Sequence, residues 1–292
     1  MPFAIRFHQT GGPEVLCLEE VEIGAPAPGE ARVRHHAIGL NFIDTYHRSG
    51  LYALPLPSGL GLEAAGVVEA VGAGVTEFRI GDRVAYAGGI CGAYSERRNL
   101  AADVLVPLPD TVSDETAAAS MLAGMTAQYL LKRTRPVGAG DTLLWHAAAG
   151  GVGQIAVQWA RALGATVIGT VGSEDKAAIA RSLGCDHVIN YREEAFAPRV
   201  RELTQGRGVP VVFDSVGAAT FERQHHVLLS RHAGDGAAPA GRADFLVAID
   251  QHGERAVVLE IELLQQGHGV DDERDALLVV RDAQAIGLVT ID

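Results

Sequence analysis

The chain has 292 residues, 48% of them apolar and 21% charged, which leaves room for two globular domains. A formal net charge of −12 with no Lys/Arg stripe excludes a surface built to neutralise nucleic-acid phosphates, and no apolar run reaches the length of a membrane span. Cys17, Cys91 and Cys185 stand far apart without zinc-ligand spacing, and the N-terminal MPFAIRFHQTGG has no apolar signal core, so a soluble cytoplasmic protein is expected.

Residues 1 to about 120 read as β-rich. Short apolar runs (AIRF, EVLCLEEVEI, EARVRHHAIGL, AAGVVEAVG, DRVAYAG, DVLVPLP) alternate with the turn signals GGPE, APAPGE and FRIGD, which predicts a partly open barrel or a sandwich. A helix is predicted from Asp114 to Leu131, capped by Ser113, with Asp114 and Glu115 in its first turn to suit the helix dipole.

From Asp141 the pattern becomes strand–helix alternation. TLLWHAA, ATVIGTV, HVIN and VPVVFDSVG read as strands. Between them lie GVGQIAVQWARALG, with Ile155, Trp159 and Ala162 on one side, then EDKAAIARSLG, then EEAFAPRVRELTQG, which Pro198 shortens or kinks. Three strand–helix units and a fourth strand predict a parallel, doubly wound sheet. Beyond residue 230, RHAGDGAAPAGRAD resembles a linker, and DFLVAID, RAVVLEIELL, DALLVV and GLVTID read as strands unless the acidic tail is disordered. From residue 231 onward there are five basic and twelve acidic residues, a net of −7 and more than half of the chain's net charge of −12. The expected divisions are 1–120, 121–230 and 231–292.

The run HAAAGGVGQ places Gly150, Gly151 and Gly153 in the turn from a strand into a helix. Free N–H groups and the helix dipole attract a pyrophosphate there, and glycines let the backbone approach it closely. The pattern is a variant of the three-glycine motif, and its strand–turn–helix context makes it a dinucleotide site. An NAD site carries an acid at the end of the next strand. Here Gly172 and Ser173 occupy that place and Lys176 follows, an arrangement that suits a 2′-phosphate, although Glu174 and Asp175 complicate it. His146 reads as a satisfied core residue. The adjacent pairs His35/His36 and His225/His226 read as structural, because neighbours in a strand point to opposite faces.

The stretches GLNFIDTYHRSGLY, SGLGLEAAGVVEAVG, AAAGGVG, GTVGSEDKAAIARSLG, VINYREE and VVFDSVG carry a resemblance over about residues 1–229. They resemble the zinc-independent, zeta-crystallin-like quinone oxidoreductases of the medium-chain dehydrogenase/reductase superfamily. The resemblance implies an α/β protein in which a GroES-like barrel domain joins a Rossmann domain. It implies NADPH as cofactor and a small quinone as substrate, reduced by hydride transfer in the inter-domain cleft. It places Asn41, Asp44, Tyr46 and Tyr52 at the nicotinamide and substrate, and Thr126 and Tyr129 at the cofactor. Gly151 and Val152 fall at the pyrophosphate, Lys176 and Tyr191 at the 2′-phosphate, and Ser215 near the fourth strand. Zinc-dependent relatives have Cys where Asn41 stands and His where Leu62 stands, and neither Asn nor Leu supplies those ligands, so no metal is expected.

The resemblance stops near Leu228. The loop that covers the nicotinamide in the family, the strands that form its homodimer edge and its final arginine segment are not recognisable, as a frame change, a fusion or a truncation would leave it. Two alternatives follow: an NADPH-binding protein with little or no catalysis, and an enone or alkenal double-bond reductase of the same superfamily.

Overall fold

The computed structural model describes residues 1–217, Thr220, Val227 and Leu228, and the backbone of Asp244–Ile249, Ala256–Leu263 and Leu278–Val280. The pair His225/His226, most of the linker-like run and GLVTID lie outside the described residues. The chain forms two compact units, Met1–Met125 and Thr126–Asp292.

The first unit is all-β around one helix and the start of a second. β1 (Phe3–Phe7), β2 (Cys17–Glu20) and β4 (Ser58–Gly59) form a small sheet in the order β2-β1-β4. β3 (Glu30–Gly39), β5 (Glu63–Val71), β6 (Arg83–Ala87), β7 (Arg97–Ala101) and β8 (Val106–Pro107) form an antiparallel sheet in the order β7-β3-β5-β6-β8. Ala31, Val33, Ala64, Val68, Val84 and Tyr86 project from these strands into a core closed by Phe78, Leu100 and Leu105. Between β3 and β5 the register slips at His35/Ala37, leaving His36 as the extra residue of a bulge. His35 turns inward to Ser95 O (2.6 Å) and the Tyr86 hydroxyl (3.0 Å), while exposed His36 meets Asp114 (2.7 Å), so this pair is structural.

Helix α1 (Phe42–Ser49) follows β3, and α2 (Asp114–Tyr129) continues as a π-helical turn over Leu130–Thr134. Ser113 Oγ accepts the Thr116 N–H at 3.1 Å, the expected N-cap.

Among the described residues the second unit forms a seven-stranded sheet. Its strands are β9 (Thr142–Trp145), β10 (Thr166–Val171), β11 (His187–Asn190), β12 (Val211–Asp214), β13 (Asp244–Ile249), β14 (Ala256–Leu263) and β15 (Leu278–Val280). The order is β11-β10-β9-β12-β13-β14-β15, parallel from β11 to β13 and antiparallel for β14 and β15. The runs DFLVAID, RAVVLEIELL and DALLVV thus supply strands, the last a short one, and β13 takes the open edge of β12.

Alternation along the buried strands sorts the helices onto two faces. Leu143, Trp145, Val167 and Val171 pack against α3 (Gly151–Ala162) and α4 (Glu174–Ser182); Leu144, Ile168, Ile189 and Val212 pack against α5 (Phe196–Leu203). The buried stripe of α3 is Gly153, Ala156, Val157 and Ala160, with Ile155 and Trp159 at its margin and Ala162 exposed. This corrects the side expected from sequence: small side chains lie against the sheet because they let the helix axis come close. Pro198 sits in the first turn of α5, where its missing N–H costs no hydrogen bond, so the helix is short and starts at Phe196.

Candidate functional site

In the second unit the first strands run parallel, so the ends of β9, β10 and β12 share one edge, and the order reverses between β9 and β12. After β9 the chain turns through Ala147, whose φ of +54° is left-handed, and Gly150 caps α3. The Gly150 N–H returns to Ala147 O at 2.8 Å. A Cβ on Gly153 would stand 2.4 Å from Ala147 O and 2.7 Å from Ala148 O, so only glycine lets the helix start this close to the turn. A Cβ on Gly151 would meet nothing within 4 Å. The helix therefore begins with open space before its first N–H groups, those of Gly151, Val152 and Gly153, which have no intrahelical acceptor. That is a cradle an anionic phosphate fits.

At the end of β10, a Cβ on Gly172 would come within 2.7 Å of the Tyr191 hydroxyl, which places these two predicted residues side by side. Ser173 caps α4 by accepting the Lys176 N–H at 3.4 Å, and Lys176 is exposed. Glu174, which complicated the sequence reading, is paired with Arg181 at 2.5 Å along the outside of α4. Thr126 is buried, and Tyr129 packs on the same core as α3. Ser215 is exposed in the bend after β12. Sequence reasoning missed Asp214, whose carboxylate holds that bend by accepting from Val216 N (2.6 Å), Gly217 N (3.3 Å) and Thr220 Oγ1 (2.8 Å). His146 is fully buried; one ring nitrogen meets Thr170 Oγ1 at 2.8 Å while Nε2 has no partner among the described residues, so it is only half satisfied. Burial holds its pKa down at about 4 against the pull of Asp214.

In the first unit, α1 gathers the residues expected at the substrate. Asn41 caps the helix and Asp44 returns the bond, accepting the Asn41 N–H at 2.9 Å. Asp44 is buried and accepts the Tyr94 hydroxyl at 2.8 Å. Asn41 Nδ2 donates to Glu63 Oε1 at 2.6 Å, and Glu63 Oε2 accepts the Leu122 N–H at 2.7 Å. Burial raises the pKa of both carboxyls, and these hydrogen bonds oppose it. The Tyr46 ring lies edge-on to Phe42 (5.2 Å) and Tyr52 (5.8 Å), and the Tyr52 N–H reaches Tyr46 O at 3.2 Å. Asn41, Asp44, Tyr46 and Tyr52 are thus one assembly. Glu63 and Tyr94 belong to it too. Glu63 was visible as the residue after Leu62, whereas nothing in the sequence marked Tyr94, which reaches Asp44 across fifty residues.

Comparison with known proteins gives concordant matches. The model of the alcohol dehydrogenase GroES-like domain matches residues 27–135, and that of the zinc-binding dehydrogenases matches residues 151–234. The chain is 58% identical over 219 residues to a quinone oxidoreductase of Pseudomonas aeruginosa, covering 75% of this chain and 67% of that protein. It is 50% identical over 238 residues to a 2-haloacrylate reductase of a Burkholderia species, covering 79% and 71%. The crystal structure of Escherichia coli quinone oxidoreductase complexed with NADPH superposes with a TM-score of 0.77 at 53% identity, over 78% of this chain and 71% of that one. With identity this high across both units, the chain belongs to the quinone oxidoreductase family of the medium-chain dehydrogenase/reductase superfamily.

Proposed function

We propose that this protein reduces quinones with NADPH, without a metal ion, in the cytoplasm. The observation that carries the reading is the Asn41–Glu63 hydrogen bond. Where zinc-dependent relatives place a thiolate, this chain places a carboxamide already committed to a buried carboxylate, and neighbouring Leu62 is apolar. That donor set does not suit zinc. A carbonyl reduced without a Lewis acid must stabilise its own developing charge, and a quinone does so by delocalisation over the ring. Tyr46 and Tyr52, whose rings pack edge-on at 5.8 Å, are the candidate hydroxyl donors to that oxygen.

The cofactor assignment rests on the turn before α3 and on the end of β10. The turn's N–H groups would hold the pyrophosphate, and Lys176 with Tyr191 the 2′-phosphate, with Glu174 turned away towards Arg181. When bound, the nicotinamide supplies the hydride. The E. coli relative crystallised with NADPH supports this choice.

The test is NADPH oxidation with 1,4-benzoquinone. Turnover is expected, and its absence in folded protein rejects the reading. Heat stabilisation by NADPH without turnover selects the nucleotide-binding alternative instead. The match to a 2-haloacrylate reductase favours a second substrate class, so 2-chloroacrylate is the comparison substrate. Tyr52→Phe or Tyr46→Phe is expected to lower kcat/KM for the quinone by about tenfold or more, the worth of one hydrogen bond to developing charge. Unchanged kinetics in both variants would remove the tyrosines from the chemistry.

A further inference from the structure

Cys91 Sγ lies 3.5 Å from His47 Nδ1 in the first unit. His47 is nearly buried, at 5% exposure, whereas Cys91 keeps part of its surface open. Both positions are fixed by their surroundings. His47 is held in the last turn of α1, its ring 5.7 Å from that of Tyr52. The loop carrying Cys91 is pinned by the N–H groups of Gly92 and Ala93, which donate to Gly61 O at 3.0 and 3.1 Å. Among the described residues, the charged groups near the pair include Asp44, one helical turn before His47 and electrostatically coupled to it; Arg98, which donates to the carbonyl of Ile90, the residue before Cys91, at 3.0 Å; and Glu63, behind Asp44. A carboxylate near the ring favours the imidazolium that forms when the thiol proton passes to the imidazole.

We propose that Cys91 and His47 form a nucleophilic thiol–imidazole pair that captures soft electrophiles of the α,β-unsaturated carbonyl class as covalent thioethers. The Cys91 proton passes to His47 Nδ1 and the sulfur bonds to the β-carbon. The C=C pair shifts to the α-carbon and carbonyl, and the resulting enolate takes a proton back from His47 or water. The step is an addition, with nothing oxidised and no cofactor consumed. It is independent of the reductase reading, because a chain that never turns over would still carry it.

The remaining cysteines are internal controls. Cys17 is exposed, and Cys185 is buried with its thiol pushed up to about 11. The full chain is treated with limiting N-ethylmaleimide between pH 5.5 and 8, and adducts are counted at each cysteine by mass spectrometry. At pH 6, Cys91 is expected to label about tenfold faster than Cys17 despite its lesser exposure, with Cys185 unlabelled. In His47→Gln the Cys91 rate should fall to that of an ordinary thiol, with Cys17 unchanged. Labelling of Cys91 no faster than Cys17 in the unmodified chain overturns the proposal without any variant. So does a Cys91 pH profile that His47→Gln leaves unmoved in protein with a cooperative melt.

Discussion

A buried carboxylate needs donors in place of water, and Glu63 has two, the Asn41 carboxamide and the Leu122 N–H. Asn41→Asp would set a second carboxyl 2.6 Å from the first. Two such groups cannot both ionise. The variant is expected to lose about 2–4 kcal/mol at pH 8 and clearly less at pH 5, where the pair can keep a proton; urea unfolding at the two pH values measures it. His146 titrates in the opposite sense. Its folded pKa of about 4 lies below the 6.5 of an exposed imidazole, so the unfolded chain binds the extra proton. The stability this residue provides is present above pH 6.5 and is lost as pH falls towards 4, by an amount on the order of 3 kcal/mol. His146→Gln should flatten the stability curve of the protein across that window, and the difference between the two curves cancels the other titrating groups. The resemblance placed Asn41 at the substrate, but neither its cap of α1 nor its bond to Glu63 was legible in the sequence, because Asn41 and Glu63 meet only when β5 packs beside α1.

The turn from β9 into α3 is the element best foretold by its sequence, since three glycines within four residues have few other uses. The structure separates their duties. Gly153 is needed for approach, with backbone oxygens 2.4 and 2.7 Å from where a Cβ would stand, whereas Gly151 faces open space. Gly153→Ala is expected to destabilise by about 1–3 kcal/mol. Gly151→Ala should melt within about 0.5 kcal/mol of the parent chain. Equal losses in thermal melts of the two variants would mean that the turn does not fit as tightly as described. The apolar spacing of α3 identified a helix but misassigned its packed stripe to Ile155, Trp159 and Ala162. Periodicity marks which residues share a side, and the distance to the sheet decides that the innermost row is Ala156, Val157 and Ala160.

For the whole molecule, the family-like sequence ends shortly after β12, where an unpaired parallel strand would expose a row of backbone groups. β13 covers that edge with the register Val211↔Phe245 to Asp214↔Ala248, and β14 and β15 extend the sheet. β12 is therefore bonded on both sides, to β9 and to β13, while β11 is an edge strand. Hydrogen exchange should show the peptide over 211–214 as slow as that over 142–145, and the peptide over 187–190 faster. If the 211–214 peptide exchanged like an edge strand, β13 would not be seated there in solution.

The sequence by itself determined what short-range chemistry can encode. It specified the β-rich first part, the strand–helix alternation, the cap at Ser113, the glycine turn into α3 and an acid-free end to β10, each set by residues within a few positions of one another. Only the tertiary structure decided which buried groups complete one another: Glu63 with Asn41, Tyr94 with Asp44, Cys91 with His47, and β13 with β12. Such partners are separated by tens of residues, and their pairing follows from the requirement that groups removed from water find donors, acceptors or a neighbouring strand. Composition and periodicity carry no record of that requirement.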